Sequence, residues 1–134
     1  MAVERSGAIT PGADRLFVYG TLKRGHPMHR LLAPFARYVA EGSICGKLYD
    51  LGAYPGVVEE QGCRHRVFGE LYRLTDAAEA FRVLDAYEGS EYRRIELPVR
   101  LEGGRSVPAW VYLYVGPLEG AGWLKSGEWR PLRE

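Results

Sequence analysis

Cysteine and histidine are scarce in this chain. The two cysteines, Cys45 and Cys63, form no CxxC and no Cys/His spacing, which excludes a zinc-binding framework or a thiol redox motif. They are expected to be separate, small, buried side chains of a reduced protein. His26 and His29 could share a helical face, but no acidic residue stands nearby at ligand spacing and His65 lies in another segment, so no metal site is expected. Charge of one sign is also missing: 18 Lys and Arg face 17 Asp and Glu, a net charge of +1. That balance excludes the strong basic field of a nucleic-acid binder. No apolar run approaches the roughly 20 residues of a membrane-spanning helix, and MAVERSGAITPGADR has no apolar core of the secretory kind. A soluble, cytoplasmic protein is expected. A GxSxG elbow and a GxxxxGK[ST] phosphate loop are absent as well, which removes the usual serine-hydrolase and P-loop chemistries.

What is present is turn formers, β formers and one marked helix. At 134 residues the chain can bury one compact core and not two. Residues 1–14 are small, polar and turn-forming, so they read as a flexible extension ahead of a single domain over 15–134. RLFVYG, SICGKLYDL, RHRVFGELYRL, EYRRIELPVRL and VPAWVYLYV are rich in β-branched and aromatic residues and read as strands. LGAYPG, EEQGCR and EGGR separate them as turns. MHRLLAPF should form one or two helical turns, and the Gly/Pro-rich tail GPLEGAGWLKSGEWRPLRE should wrap the body. In VPAWVYLYV, Trp110, Tyr112 and Tyr114 alternate with Val111, Leu113 and Val115, a stripe suited to plain core.

TDAAEAFRVLDAYEG carries the helix signals. Asp76 can cap the N-terminus, Glu79 three residues on can complete a capping box, and Gly89 can end the helix. At about 100° per residue, Ala77, Ala80, Phe81 and Leu84 share one stripe, with Val83 and Tyr87 on its flank and Glu79, Arg82 and Ala86 opposite. Glu88 is offset from Ala77 by a net 20° or so, inside the apolar stripe. A carboxylate there faces the negative end of the helix dipole and, when buried, resists ionisation. Both effects raise its pKa. The alternative is a helix that frays by Glu88, leaving the side chain in water or paired with Arg93 or Arg94.

The end of the first strand offers a counterpart. If the strand stops at Gly20, the backbone N–H groups of Gly20, Thr21 and Leu22 lose ladder partners, and a tight turn can aim them together as an anion-binding nest. A turn with no ligand is the plain alternative, and Lys23 and Arg24 read as solvated surface or added positive field.

Taken together, FVYGTLKRGHP with His29, then LYDLGAYPG, VFGELY, LDAYEGSEYRR, AWVYLY and SGEW in that order resemble the gamma-glutamylcyclotransferase-like family, in particular its gamma-glutamylamine cyclotransferase branch. The resemblance runs from about Leu16 to Trp129, with one departure: relatives often have Asn where this chain has Met28. It implies an α+β fold, a small mostly antiparallel β-barrel with one main flanking helix. It implies that Glu88 is the catalytic glutamate and that Tyr19, Gly20, Thr21 and Leu22 hold the glutamyl end of a substrate. Tyr92 matches a pocket tyrosine, and Tyr112 is a weaker match to a second one.

The activity implied is conversion of a gamma-glutamyl amine or amino acid into 5-oxoproline and a free amine, by attack of the substrate's own α-amino group. No metal or other cofactor is called for. The reaction needs a base, an acid and donors for a developing oxyanion, and one glutamate with a raised pKa can serve both proton steps. Alternation along VFGELY puts Phe68, Glu70 and Tyr72 on one face, so Glu70 is either a second carboxylate near the pocket or an exposed or Arg-paired side chain. The amine half of the substrate is expected against GHPMHRLL and GPLEGAGW. The alternative function is a non-catalytic domain that binds a small carboxylate in the same pocket. Oligomeric state is not legible.

Overall fold

The computed structural model describes residues 14–129. Most of the expected extension, residues 1–13, lies outside the described residues, as do residues 130–134. In chain order the strands are β1 (Arg15–Val18), β2 (Ala36–Cys45), β3 (Lys47–Asp50), β4 (Pro55–Val58), β5 (Arg66–Leu74), β6 (Tyr92–Leu101), β7 (Ser106–Tyr114) and β8 (Gly122–Trp123). Among the described residues one α-helix, α1 (Ala77–Glu88), joins β5 to β6. Five strands close a barrel in the order β1-β5-β2-β6-β7, and a small sheet, β4-β3-β8, stands apart from it. Barrel neighbours pair antiparallel except β1 and β7, which meet in parallel where Leu16 faces Trp110. The α+β barrel with one main helix is therefore the fold of this chain.

Two apolar clusters follow from strand alternation. Phe17, Ile44, Val67, Leu71, Val99, Ala109 and Val111 are buried in one cluster, the barrel filling. Leu16, Val18, Tyr72, Leu74 and Tyr112 point the other way and pack with Ala80, Phe81 and Leu84 of α1. β1 reads as an unbroken apolar run because both of its faces are covered. The α1 stripe is the expected one. Burying side chains such as Phe81 and Leu84 contributes about 1.5–3 kcal/mol each, and this fixes the rotation of the helix. Asp76 caps it by accepting the Glu79 N–H at 3.2 Å. The Glu79 carboxylate turns away from the cap to pair with Arg82.

The sheet departs from the sequence reading in three places. SICGKLYDL is not one strand: β2 ends at Cys45 and β3 starts at Lys47, and between them Gly46 has φ +154 and would set a Cβ 2.7 Å from Val57 Cγ1. The chain leaves the barrel there because only glycine fits. β2 also begins earlier than expected, at Ala36, because pairing with β5 rather than burial makes ARYVAEG a strand. The expected LGAYPG turn gives up its last two residues to β4, which runs from Pro55 to Val58, and two tail residues become β8. MHRLLAPF forms two short 3-10 turns, His29–Leu31 and Ala33–Phe35. Among the described residues no helix is long and apolar enough to cross a membrane.

The cysteines differ most from expectation. Cys45 and Cys63 are not separate buried thiols: they form a disulfide, with Cα atoms 4.9 Å apart. Cys63 is exposed and Cys45 half-buried. Their sequence spacing carried no motif because the proximity is tertiary: the exit of β2 and the loop before β5 meet where β2 pairs with β5. The bond closes the segment that contains β3 and β4. Arg66 lies over both sulfurs, its Nη1 3.2 Å from Cys45 Sγ and 3.0 Å from Cys63 Sγ, while its Nε donates to Ser43 Oγ at 2.7 Å.

Candidate active site

Glu88 is the last residue of α1, and the helix does not fray before it. Gly89 follows with φ +78 and donates its N–H to Asp85 O at 3.1 Å, which ends the helix. The apolar face of α1 rests on the outside of β1 and β7, so the end of that face carries Glu88 down beside the strand ends. There its carboxylate makes no hydrogen bond or ion pair to any described residue. Arg94, one of the two partners open to a frayed Glu88 in the sequence, is engaged elsewhere: it forms a two-point pair with Asp85 at 3.0 and 3.1 Å. Burial, with a smaller contribution from the neighbouring Asp85 carboxylate, pushes Glu88 up to about pKa 7.

The YGTL turn follows β1 immediately. Lys23 N–H donates to Gly20 O and Met28 N–H to Thr21 O, both at 3.0 Å, which folds the loop back on itself. The N–H groups of Gly20, Thr21 and Leu22 donate to no described residue. Gly20 is required by packing: a Cβ there would lie 2.6 Å from Pro55 Cγ, so β4 can seat against the loop only if position 20 has no side chain. Three unpaired backbone donors and one unpaired acid thus belong to the same corner of the fold.

They line one cavity of about 170 Å³, walled by Phe17, Val18, Tyr19, Gly20, Thr21, Leu22, Tyr54, Pro55, Tyr87, Glu88, Tyr92 and Tyr112. Every residue assigned to the site from sequence is in that wall. The phenols are committed elsewhere. Tyr19 donates to Tyr112 O at 2.6 Å and accepts from Val57 N–H at 3.2 Å; Tyr92 donates to Pro55 O at 2.7 Å; Tyr112 donates to Asp85 Oδ1 at 2.6 Å. Burial raises the pKa of all three above the ordinary phenol value, reinforced for Tyr19 by the Glu88 charge, for Tyr92 by Tyr19 and Glu88, and for Tyr112 by its bond to Asp85. They stay neutral. These three tyrosines therefore shape and dry the cavity; Tyr19 and Tyr92 spend their protons on other wall residues and Tyr112 on Asp85 behind the wall, none on Glu88.

Glu70 is not in the cavity. It is 8% exposed, accepting from Arg24 N–H at 2.9 Å, Tyr72 OH at 2.9 Å and Arg24 Nε at 3.5 Å. Of the readings open in the sequence, the Arg-paired one is the structure's. Met28 packs its side chain against the helix-side cluster, and only its main chain serves the loop. His29 Nδ1 is 2.8 Å from Leu22 O, so this histidine also braces the loop. Among the described residues no group of three or more His, Cys, Asp or Glu could hold a metal ion. Sequence reasoning missed Phe17, Val18, Tyr54, Pro55 and Tyr87 as wall residues. Tyr87 had a signal, since it precedes Glu88 on the helix, and it shares a 3.0 Å hydrogen bond with Thr21 Oγ1 across the cavity rim. The roles of Asp85 and Arg94 had none.

A closed barrel with an unpaired acid and a backbone-donor turn in one small apolar cavity defines a small-molecule site. Residues 16–131 match the family described as "Gamma-glutamyl cyclotransferase, AIG2-like". The chain belongs to this family, whose named relatives are enzymes. It is 35% identical over 128 residues to the gamma-glutamylaminecyclotransferase of Bos taurus, covering 87% of this chain and 66% of the bovine protein's length. It is 36% identical over 120 residues to the gamma-glutamylcyclotransferase family protein YtfP of Escherichia coli K12, covering 86% of this chain and 95% of that protein. The crystal structure of an AIG2-like protein from Mus musculus superposes with TM-score 0.72 at 28% identity, over 90% of this chain and 97% of the mouse chain.

Proposed function

We propose that this protein is a gamma-glutamyl cyclotransferase that releases 5-oxoproline and a free amine from a gamma-glutamyl amine or amino acid, with Glu88 as its acid and base. The observation that carries this reading is the unpartnered Glu88 carboxylate, raised to about pKa 7, in the same cavity as the free N–H groups of Gly20, Thr21 and Leu22. A carboxylate poised near working pH can take a proton and return it. A site built only to hold a small carboxylate would not set a second carboxylate beside it.

In this reading the loop N–H groups hold the anionic oxygens of the glutamyl unit, and the phenol-lined walls press the α-amine toward the γ-carbonyl. Glu88 accepts a proton from the α-ammonium, the freed amine attacks the γ-carbon, and a five-membered lactam begins to close. The protonated Glu88 then gives its proton to the leaving amine as the original C–N bond breaks, and the ring nitrogen, cationic after attack, sheds its second proton to Glu88, which passes it to the freed amine so that this departs as an ammonium. The products are 5-oxoproline and the free amine, and Glu88 returns to its starting state. Holding the amine over the carbonyl makes the attack intramolecular, which can lower the barrier by about 7–11 kcal/mol. A cavity of about 170 Å³ suits the glutamyl half, so the amine half would leave past the rim formed by Tyr54, Tyr87 and Thr21.

The test is a panel of gamma-glutamyl amines, amino acids and dipeptides incubated with the parent and with Glu88→Gln, read by mass spectrometry. The parent should convert at least one to 5-oxoproline and amine, and the variant should convert none at a comparable rate. Saturable binding to the parent without product from any member would replace this reading with that of a carboxylate-binding domain.

A further inference from the structure

Asp85 lies three residues before Glu88 on α1, so the two side chains are neighbours on one helix face. Asp85 is also the meeting point of the helix with two strands. From β6, Arg94 reaches it through Nε and Nη2, and the same guanidinium is stacked 3.8 Å from the Phe81 ring centroid and 4.9 Å from that of Trp110. From β7, the Tyr112 hydroxyl donates to Asp85 Oδ1 at 2.6 Å while its ring walls the cavity. The stacked arginine fixes both the position and the ionised state of Asp85, whose pKa is held low by Arg94 and further by Tyr112 against the cost of burial.

We propose that Asp85 and Arg94 are a positioning pair for the reaction, setting the proton affinity of Glu88 through the balance of their charges and the cavity wall through Tyr112. The proposal rests on the cyclotransferase reading for its consequence in turnover, but not for its electrostatics. The titratable groups that face Glu88 from other elements are phenols: Tyr19 after β1, Tyr54 before β4, Tyr92 on β6 and Tyr112 on β7, with Tyr87 beside it on α1. Among the described residues Asp85 is the charge that acts on Glu88, and Arg94 is the guanidinium that pairs with Asp85; Arg93 borders the same outer groove as Asp85. Removing Asp85 removes a negative neighbour and leaves Arg94 uncompensated, so Glu88 must ionise more easily. Removing Arg94 leaves Asp85 uncompensated, and Glu88 must ionise less easily.

The experiment is a carbon-13 NMR titration of the Glu88 carboxyl, assigned with Glu88→Gln, in the parent, Asp85→Asn and Arg94→Gln, with the pH profile of 5-oxoproline formation measured beside it. The midpoint should move down by about one pH unit in D85N and up in R94Q, and the acid limb of turnover should follow in both. Arg94→Lys, which keeps the charge, should restore the parent midpoint. Should D85N not fold, Asp85→Ser carries the same expectation. Midpoints that stay in place, or move in the same direction in both variants, overturn the proposal, because loosened packing has no reason to shift a titration in opposite senses. The titration needs no substrate, so a parent that forms no 5-oxoproline would sink the cyclotransferase reading while leaving this result standing.

Discussion

Glu70 and Glu88 are two acids withdrawn from water within a few strands of each other, and their surroundings treat them in opposite ways. Glu70 receives an N–H, a guanidinium and a phenol, and through Arg24 N–H it fastens the loop that follows β1. Glu88 receives none of these, and burial raises its pKa instead. A buried charge with its lone pairs satisfied holds structure together; one left unsatisfied is a cost to folding that chemistry can use. The same residue type thus serves as a bolt on one side of the YGTL loop and, in the proposed reaction, as a proton carrier on the other.

Exchanging each acid for its amide breaks the comparison most directly. Glu88→Gln should lower the rate of 5-oxoproline formation by about 10³-fold or more, since one group would serve both proton steps, while circular dichroism shows an unchanged fold. Stability should move in the variant's favour. Because Glu88 is raised from 4.5 to about 7 in the folded chain, the folded state holds its proton more tightly than the unfolded state. The parent then loses stability as pH rises from about 4.5 to 7 and no further above that. Urea midpoints at pH 5 and pH 8 should show Glu88→Gln gaining on the parent across that window; a constant difference would mean that Glu88 is not held protonated by the fold.

The disulfide sharpens the contrast, because it ties down only the segment that supplies Tyr54 and Pro55 to the Glu88 side. Reduction, or Cys45→Ser with Cys63→Ser, should lower stability by about 3 kcal/mol for a loop of this length. It should raise KM without disturbing the Arg24 bonds to Glu70. An unshifted urea midpoint after complete thiol release would contradict this.

Glu70→Gln should cost about 1–3 kcal/mol, the worth of hydrogen bonds to a charged group, at the lower end because Arg24 is half exposed. Its kinetic mark should be a higher KM with kcat changed less than tenfold, the reverse of Glu88→Gln. A kcat loss as large as that of Glu88→Gln would place Glu70 in the chemistry and end the comparison. The smallest effect is expected from Tyr87→Phe, which removes one rim hydrogen bond to Thr21. About 1 kcal/mol or less should be lost, and faster release of the amine product should be visible in single-turnover kinetics.

Several features of the candidate site were legible in the sequence because they are local. The cap at Asp76, the stop at Gly89 and a 3.6-residue period are enough to put Glu88 on the apolar side of α1. A strand that meets Gly20 is enough to strip three N–H groups of ladder partners. Arg94 was legible only as a candidate partner for Glu88, and the structure gives it to Asp85, since β6 returns beside α1 in a register that no pattern in EYRRIELPVRL announces. The first part of β2, ARYVAEG, escaped notice because none of its residues is buried and four of the seven are exposed, so hydrophobic alternation had nothing to report.

By itself the sequence determined the helix, its buried face and the place where β1 ends, since each depends on residues within a turn or two of one another. Only the tertiary structure decided which acid stays unpaired, that Pro55 closes on Gly20, that Cys45 meets Cys63, and that Tyr19, Tyr92 and Tyr112 give their protons to partners other than Glu88. Those outcomes depend on which distant backbone passes within 3 Å of a side chain. Closure of the barrel sets that distance, and local pattern does not.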